Sequence, residues 1–497
     1  ARYCVGFDDS QMPEGLTDEE SYRDYILGIL DGQPKTPEWA EAITAVPRDV
    51  IARIAREYAT AEAAVLYQGY GMQRRAYGEQ VVRAGCVLAA ITGNVGKPGG
   101  WASGIALQAG GGPFWNVFPV LENPVKAQIP TFLWTEAINR GPELTAKDGL
   151  VGIDRLPHGI KMVWAVASNC IVNQHANVNR TVEIIRDPSL LEFFVVQDQF
   201  MTPTARFADL VLPACTQFET WGMEDGWKYG EELILKPRIF DPPGETMSDY
   251  AICAAVAKKL GLWQAFTEGR DEKQWVGALL DDYRELRFPD LPTLEEFEQN
   301  NLGVYSRAVE EPKVAFSEFR KDPDKHPLET PSGKIEIFSE AMFNRRQPEE
   351  VPPVPKYIQE WESPFGPEAE RYPLQVIGTH FMPRVHSTFA NVDWNSEAFP
   401  QRVFINPVDA QERGLKDGQE VRVFNDRGSL ILPCRITPRI LPGVVNIPQG
   451  AWWKPDEAGN DIGGSVNTLT SERWTPFAFG NAQHTIMAEV AAMEADA

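Results

Sequence analysis

The residues with chemistry to offer gather at three places along the chain. Gly69-Tyr70-Gly71-Met72-Gln73-Arg74 joins glycines, which let a backbone approach a ligand closely, to two long hydrogen-bond donors. Ser168-Asn169 offers a hydroxyl and an amide, and Gln197-Asp198 an amide and a carboxylate. Such a set suits a nucleotide with phosphates better than an apolar ligand. A carboxylate can accept two hydrogen bonds side by side, so Asp198 matches the adjacent N–H and NH₂ groups of a guanine. Each piece alone is also ordinary turn chemistry, and it is their joint occurrence in order that gives weight to a ligand. His175, His380, His386 and His484 are each open to a structural reading. The cysteines, Cys4, Cys86, Cys170, Cys215, Cys253 and Cys434, are scattered, with no pair at the spacing of a zinc or iron–sulfur clip. They read as small apolar residues, so no metal ligand and no catalytic residue is assigned within this chain.

Loops that hold a ligand need elements to hold them. Pro47 opens a helix with Ile51, Ile54, Ala55 and Tyr58 at three-to-four spacing, a strand follows at 63–68, and after the glycine-containing loop a second helix runs from Gly78 to Gly93. The same grammar returns with a strand at 161–167, a helical stretch through NVNRTVEIIRD, a strand at 193–197, and a further strand from Asp209. Apolar runs without polar alternation suit parallel strands covered on both faces. Loops at the carboxyl ends of such strands open into one crevice, where sheets of this kind bind ligands. Residues 263 to 345 read as helical and acidic, with no evident chemistry. A Pro- and Glu-rich stretch from Arg345 to Tyr372 then reads as a linker, with a domain boundary near 368. Beyond it, PLQVIGTH, RVFINP, QEVRVFND, SLILPCRIT and GVVNIP are short strands broken by Gly, Pro and Asn/Asp, the pattern of a closed or nearly closed β-barrel.

Composition sets the outer limits. With 497 residues the chain is long enough for several domains and a large core. Its net charge of −23 argues against a nucleic-acid or anionic-membrane surface, since both require a positive footprint. No apolar run reaches the roughly 18 residues of a membrane span. The first residues, ARYCVGFDDSQMPEG, carry no export-signal pattern.

Taken in order, QGYGMQRRAYGEQ with LAAITGNVGKPGG, WAVASNCIVNQHANVN, VVQDQFMTPTARFADLVLPACTQFETWG, VIGTHFMPRVHST, and finally IPQGAW, GGSVN and GNAQHT resemble the successive signatures of molybdopterin oxidoreductases of the dimethyl sulfoxide reductase family. The spelling of NQH and IPQGAW is most similar to the catalytic subunit of the three-subunit, membrane-associated reductases. The resemblance implies an α/β fold, with parallel-sheet αβα domains followed by a double-psi-like β-barrel. Residues 1–104 would be the remainder of a Rossmann-like αβα domain, 105–367 a second αβα domain ending in the linker, and 368–497 the pterin-binding barrel. It implies a molybdenum cofactor, bis(molybdopterin guanine dinucleotide), cradled between the α/β parts and closed over by the barrel. Carried across position by position, Gly69, Tyr70, Gln73 and Arg74 would line one dinucleotide, and Ser168, Asn169 and Asn173 the other. Gln197 and Asp198 would meet a guanine, with Thr220 and Asp249 nearby. Thr379, His380, Arg384, His386 and Ser387 match the motif for pterin and pyrophosphate, and Asn467 adds a pterin contact.

The resemblance covers the carboxy-terminal part of the family's chains. The family's 4Fe-4S cluster site and its protein ligand to molybdenum, usually Ser, belong to an amino-terminal segment with no counterpart here, so the chain by itself is expected to be inactive. The complete protein would reduce S- or N-oxides by oxygen-atom transfer in anaerobic respiration, with an iron–sulfur electron-transfer subunit and a membrane-anchor subunit as partners. Its place would be the periplasm or the outer face of the cytoplasmic membrane, although the twin-arginine signal is not in this sequence. Selenate, nitrate, polysulfide and formate are alternative substrates within the superfamily. A non-catalytic cofactor-binding module is an alternative of another class, and a tryptophan-rich carbohydrate binder a third, which the ordered α/β signatures disfavour.

Overall fold

The computed structural model describes residues 2–103, 122–225, 232–286, 288–300, 303–306 and 314–493. They form two compact units, neither continuous in sequence. One gathers described residues of Ala1–Ala106, Glu311–Trp361 and Arg473–Thr485, the other those of Leu107–Glu310, Glu362–Glu472 and Ile486–Ala497. The boundary expected between 104 and 105 lies outside the described residues. The units differ from three consecutive parts because Cys4–Val5 pairs in parallel with Ile335–Glu336, which returns the later segment to the first unit.

In the first unit the expected helix–strand–loop–helix order is present as Arg48–Thr60, Val65–Tyr67 and Glu79–Ile91, with Pro47 capping the first helix rather than starting it. Among the described residues Val65–Tyr67 pairs only with Trp101–Ser103, in parallel. This layer is thin: Val65 and Tyr67 are 58% and 67% exposed, and the helix Arg48–Thr60 buries no residue. Among the described residues the strand is therefore not covered on both faces, contrary to its apolar composition.

The second unit contains the sheet that composition describes better. Phe193–Asp198 lies between Met162–Val166 and Leu210–Pro213, all parallel. Only this central strand is well covered, with Phe194, Val195, Val196 and Gln197 buried, whereas Met162 and Val166 at the edge are exposed. Helix Val178–Arg186 covers one face with Val178, Val182 and Ile185, residues at the three-to-four spacing that puts side chains on one stripe.

The carboxy-terminal barrel is closed, in the order Leu374–Ile377, Val444–Asn446, Val403–Ile405, Gly428–Ile436, Glu420–Asn425, Met487–Ala492, the last pairing back onto the first. Alternation builds its core: in Glu420–Asn425, Val421 and Val423 point inward while Glu420 and Arg422 face water. Val376, Val403, Ile405, Leu430, Leu432, Val445 and Val490 complete the interior, each burial contributing about 1.5–3 kcal/mol. The stretch expected to be wholly helical also supplies Val304–Ser306, which completes a small antiparallel sheet with Gly222–Asp225 and Glu232–Lys236. The helix Glu272–Leu286 packs Val276, Leu280 and Tyr283 into the same cluster as Leu233 and Leu235 of that sheet.

Candidate functional site

Parallel register brings the ends of the three central strands to one edge of the second unit. Val166 stands beside Gln197, and Asp198 beside Pro213, so Ser168-Asn169 and Gln197-Asp198 leave the sheet together. The Ala167 amide donates to the Gln197 carbonyl at 2.8 Å, which fixes the first turn, with Ala167 itself at φ +49°. Asn169 is buried, and its Oδ1 accepts from the Thr204 amide at 3.1 Å. Its Nδ2 is buried with no partner among the described residues.

Gln197 and Asp198 divide their expected task. Gln197 is fully buried; its Nε2 donates to Asp249 Oδ1 at 2.5 Å and holds that carboxylate in place, while its Oε1 is buried without a partner among the described residues. Asp249 is exposed at the first turn of helix Asp249–Lys259, which Ser248 caps. Asp198 is half-buried and spends Oδ1 on the amides of Gln199 and Phe200 at 2.7 and 3.2 Å, leaving Oδ2 as the acceptor available to a ligand. Thr220 is half-buried, with no hydrogen bond among the described residues.

The barrel residues meet the sheet loops inside this same unit. Asn173 is 1% exposed, with Nδ2 donating to the Ala451 carbonyl at 3.1 Å and Oδ1 accepting from the Trp453 amide at 2.6 Å. The Asn173 carbonyl accepts from Asn467 Nδ2 at 3.0 Å. Both side-chain groups of Asn173 are thus bonded to protein, which makes it a joint between sheet loop and barrel. Gln174 Nε2 donates to Ser387 Oγ at 3.1 Å, and Trp453 packs into the apolar core beneath the sheet. His175 is structural: it lies between the rings of Phe132 and Trp134, 3.0 Å from Thr135 Oγ1, and burial pushes its pKa down to about 3, so it is neutral.

Around the barrel motif, Thr379 Oγ1 donates to Asn446 Oδ1 at 3.0 Å, and the His380 and His386 rings meet edge to face at 5.2 Å. Arg384 donates to Gln401 Oε1 at 2.7 Å and to the Gln449 carbonyl at 3.1 Å, while its Nε is buried without a partner among the described residues. Burial pushes the Arg384 pKa down to about 10, still leaving it cationic at neutral pH. His386 sits at φ +51°, and a Cβ on Gly450 would overlap its carbonyl, so only glycine permits this approach.

In the first unit, Gly69 takes φ +63° and begins the turn that carries exposed Tyr70 and half-buried Gln73 and Arg74. Neither the Gln73 nor the Arg74 side chain makes a hydrogen bond among the described residues. The turn is held from a distance: Arg75 pairs with Glu360, the Ala76 amide donates to Thr485 Oγ1 at 2.8 Å, and the His484 amide to the Arg74 carbonyl at 3.0 Å. A Cβ on Gly78 would come within 2.6 Å of the Gln73 carbonyl, so the turn also closes on itself.

Two unpaired buried donors, Asn169 Nδ2 and the cationic Arg384 Nε, belong to the residues expected to meet an anionic ligand rich in acceptors. A buried donor without a partner costs about 1–3 kcal/mol, and a ligand oxygen would recover it. Asn467 and Ser387 reach the same neighbourhood through Asn173 and Gln174. These features fit a pterin dinucleotide. Sequence reasoning missed Gln401, Gln449 and Asp461; Gln449 lay within IPQGAW, but nothing local marked the other two. Among the described residues no three of His, Cys, Asp and Glu gather at metal-binding distance.

Comparison with known proteins agrees with this reading. The molybdopterin oxidoreductase family pattern matches residues 44–259, and that of the molydopterin dinucleotide binding domain matches residues 374–487. The chain is 43% identical to dimethyl sulfoxide reductase DmsA of Escherichia coli and 41% to that of Haemophilus influenzae, in each case over 98% of this chain and 61% of the relative. It is 32% identical to the dimethyl sulfoxide/trimethylamine N-oxide reductase of Rhodobacter capsulatus, over 99% of this chain and 60% of that protein. The chain thus spans about three fifths of the length of the curated relatives it matches. In fold it is similar to acetylene hydratase of Pelobacter acetylenicus, with a TM-score of 0.69 at 21% identity, covering 99% of this chain and 67% of that one.

Proposed function

The chain belongs to the molybdopterin oxidoreductases of the dimethyl sulfoxide reductase family, and from that membership we propose that the protein reduces S- or N-oxides by oxygen-atom transfer, this chain supplying most of the cradle for bis(molybdopterin guanine dinucleotide). When bound, that cofactor supplies a two-electron metal centre able to take an oxygen atom from substrate. The chain's own residues bind and orient it. Asp198 Oδ2 and Asp249, the latter held by Gln197, are the acceptors for a guanine, with Thr220 at the edge. Ser168 and Asn169 take one pyrophosphate; Gly69, Tyr70, Gln73 and Arg74 take the other dinucleotide. Thr379, His380, Arg384, His386, Ser387 and Asn467 serve a pterin and its pyrophosphate, and Asn173 fixes the distance between sheet loops and barrel.

The observation that carries this reading is the joining of loop 168–175 to Ser387 and Asn467 inside one packed unit, with donor atoms of Asn169 and Arg384 left over for a ligand. An iron–sulfur electron-transfer subunit and a membrane-anchor subunit complete the proposal, with the periplasmic side of the membrane as its place. No helix among the described residues is long and apolar enough to cross a membrane. The test is a substrate panel on the full-length protein with a reduced viologen as electron donor. Dimethyl sulfoxide and trimethylamine N-oxide should be turned over. Turnover of nitrate or selenate alone would refute the substrate assignment.

A further inference from the structure

We propose that Asp461 is a positioning residue of the cofactor cradle, a buried carboxyl group that pins the barrel segment 451–468 so that its two arms reach Asn173 and Arg384. The inference rests on the cofactor reading above. Asp461 is fully buried, which pushes its pKa up, and its two oxygens are met by four backbone amides, which oppose that shift, and a hydroxyl. Oδ1 accepts from the backbone N–H groups of Lys454, Gly463 and Gly464 at 2.9, 2.8 and 3.3 Å. Oδ2 accepts from the Ser465 amide at 2.7 Å and the Thr468 hydroxyl at 3.2 Å. Its own backbone is fastened to the barrel strand Gly428–Ile436, donating to the Ser429 carbonyl and accepting from the Ile431 amide. Only an acceptor with two oxygens can take five donors; an amide side chain would turn its hydrogens against backbone N–H groups. The two glycines are required by space as well: a Cβ on Gly463 would overlap the Trp452 carbonyl, and Gly464 at φ +87° packs against Gln401 and Leu432.

The residues that Asp461 gathers lie directly beside those that build the cradle. Next to Lys454 is Trp453, whose amide donates to Asn173 Oδ1, and Ala451 accepts from Asn173 Nδ2. Ser465 Oγ and Asn467 Nδ2 donate to the Asn173 carbonyl at 3.3 and 3.0 Å. On the other arm, the Gly464 carbonyl accepts from Gln401 Nε2 at 3.1 Å, and Gln401 Oε1 accepts from Arg384 at 2.7 Å. One carboxylate therefore sets the register of the Asn467 arm and, through Gln401, the reach of Arg384. Losing it should loosen both arms while the barrel stays closed, because none of its five donors belongs to the strand ladder.

The experiment uses the full-length protein carrying Asp461→Asn, with Val423→Ala, a cavity in the barrel core, as the control for general destabilisation. Two quantities are read: backbone amide exchange at Trp453, Gly464 and Ser465, and pterin retained after purification, measured by fluorescence of the oxidised extract. Asp461→Asn should speed exchange at those amides and cut retained pterin about tenfold, a loss of the size found when a group that orients a ligand-holding residue is removed. Val423→Ala should keep its pterin even where its melting temperature falls further. Parental exchange or parental pterin in Asp461→Asn overturns the proposal, as does equal pterin loss in Val423→Ala, which would make the role merely structural. A parent without pterin sinks the cofactor reading and this role with it, and the parent's own content separates that result from a failure of Asp461 alone.

Discussion

The barrel and the thin parallel pair of the first unit present the residues proposed for the cradle in opposite ways. In the barrel, six strands close on themselves around a core whose members are nearly all fully buried, so the loops carrying Arg384, Ser387 and Asn467 rise from a rigid base. In the first unit, the turn carrying Gln73 and Arg74 follows a three-residue strand with two exposed side chains, and depends on Glu360, His484 and Thr485 from distant sequence. A turn can thus be held in place either by the core beneath it or by staples from elsewhere. The two should fail differently.

The largest expected effect tests that contrast. Ile405→Ala empties space in the barrel core and should cost about 2–5 kcal/mol, whereas Val65→Ala, at a 58% exposed position, should change stability by less than about 0.5 kcal/mol. Urea unfolding followed by tryptophan fluorescence would measure both. Comparable losses would mean that the thin pair is as tightly packed as the barrel.

A smaller effect concerns pH. Burial, with Arg180 nearby, lowers the His175 pKa from 6.5 to about 3, so between those values the unfolded chain binds a proton that the folded chain does not. Stability from this group is therefore complete above about pH 6.5 and falls as the pH drops toward 3, by up to about 1.4 kcal/mol per pH unit. Comparing urea midpoints at pH 7.5 and 5.5 should show a steeper decline in the parent than in His175→Gln. Equal declines would place the titrating group elsewhere.

Much of this architecture was legible in local sequence because period and composition are local properties. The strand at 193–198 announces itself as FFVVQD, and five of the six barrel strands alternate or run apolar between turn residues. The sixth, Met487–Ala492, reads MAEVAA and carries little β-forming character; it is a strand because Leu374–Ile377 and Glu420–Asn425 flank it. Ile335–Glu336 is likewise a strand only through Cys4–Val5, more than 300 residues away. The same division applies to the site. Asp198 and Ser168-Asn169 were visible as strand ends, but the inward turn of Gln197, the commitment of both ends of the Asn173 amide and the pinning by Asp461 are set by partners that spacing does not reveal.

Whether the strand-end carboxylates hold a guanine is tested most directly by the cofactor content of Asp198→Asn in the full-length protein. Asparagine keeps an oxygen for the Gln199 and Phe200 amides, so the turn survives, but it replaces the second acceptor with a donor. Guanine released on acid hydrolysis and molybdenum by elemental analysis should fall together, by roughly tenfold for a cost of about 1–3 kcal/mol. Undiminished guanine and molybdenum in the variant would contradict the account and leave Asp198 a turn residue at the end of a strand.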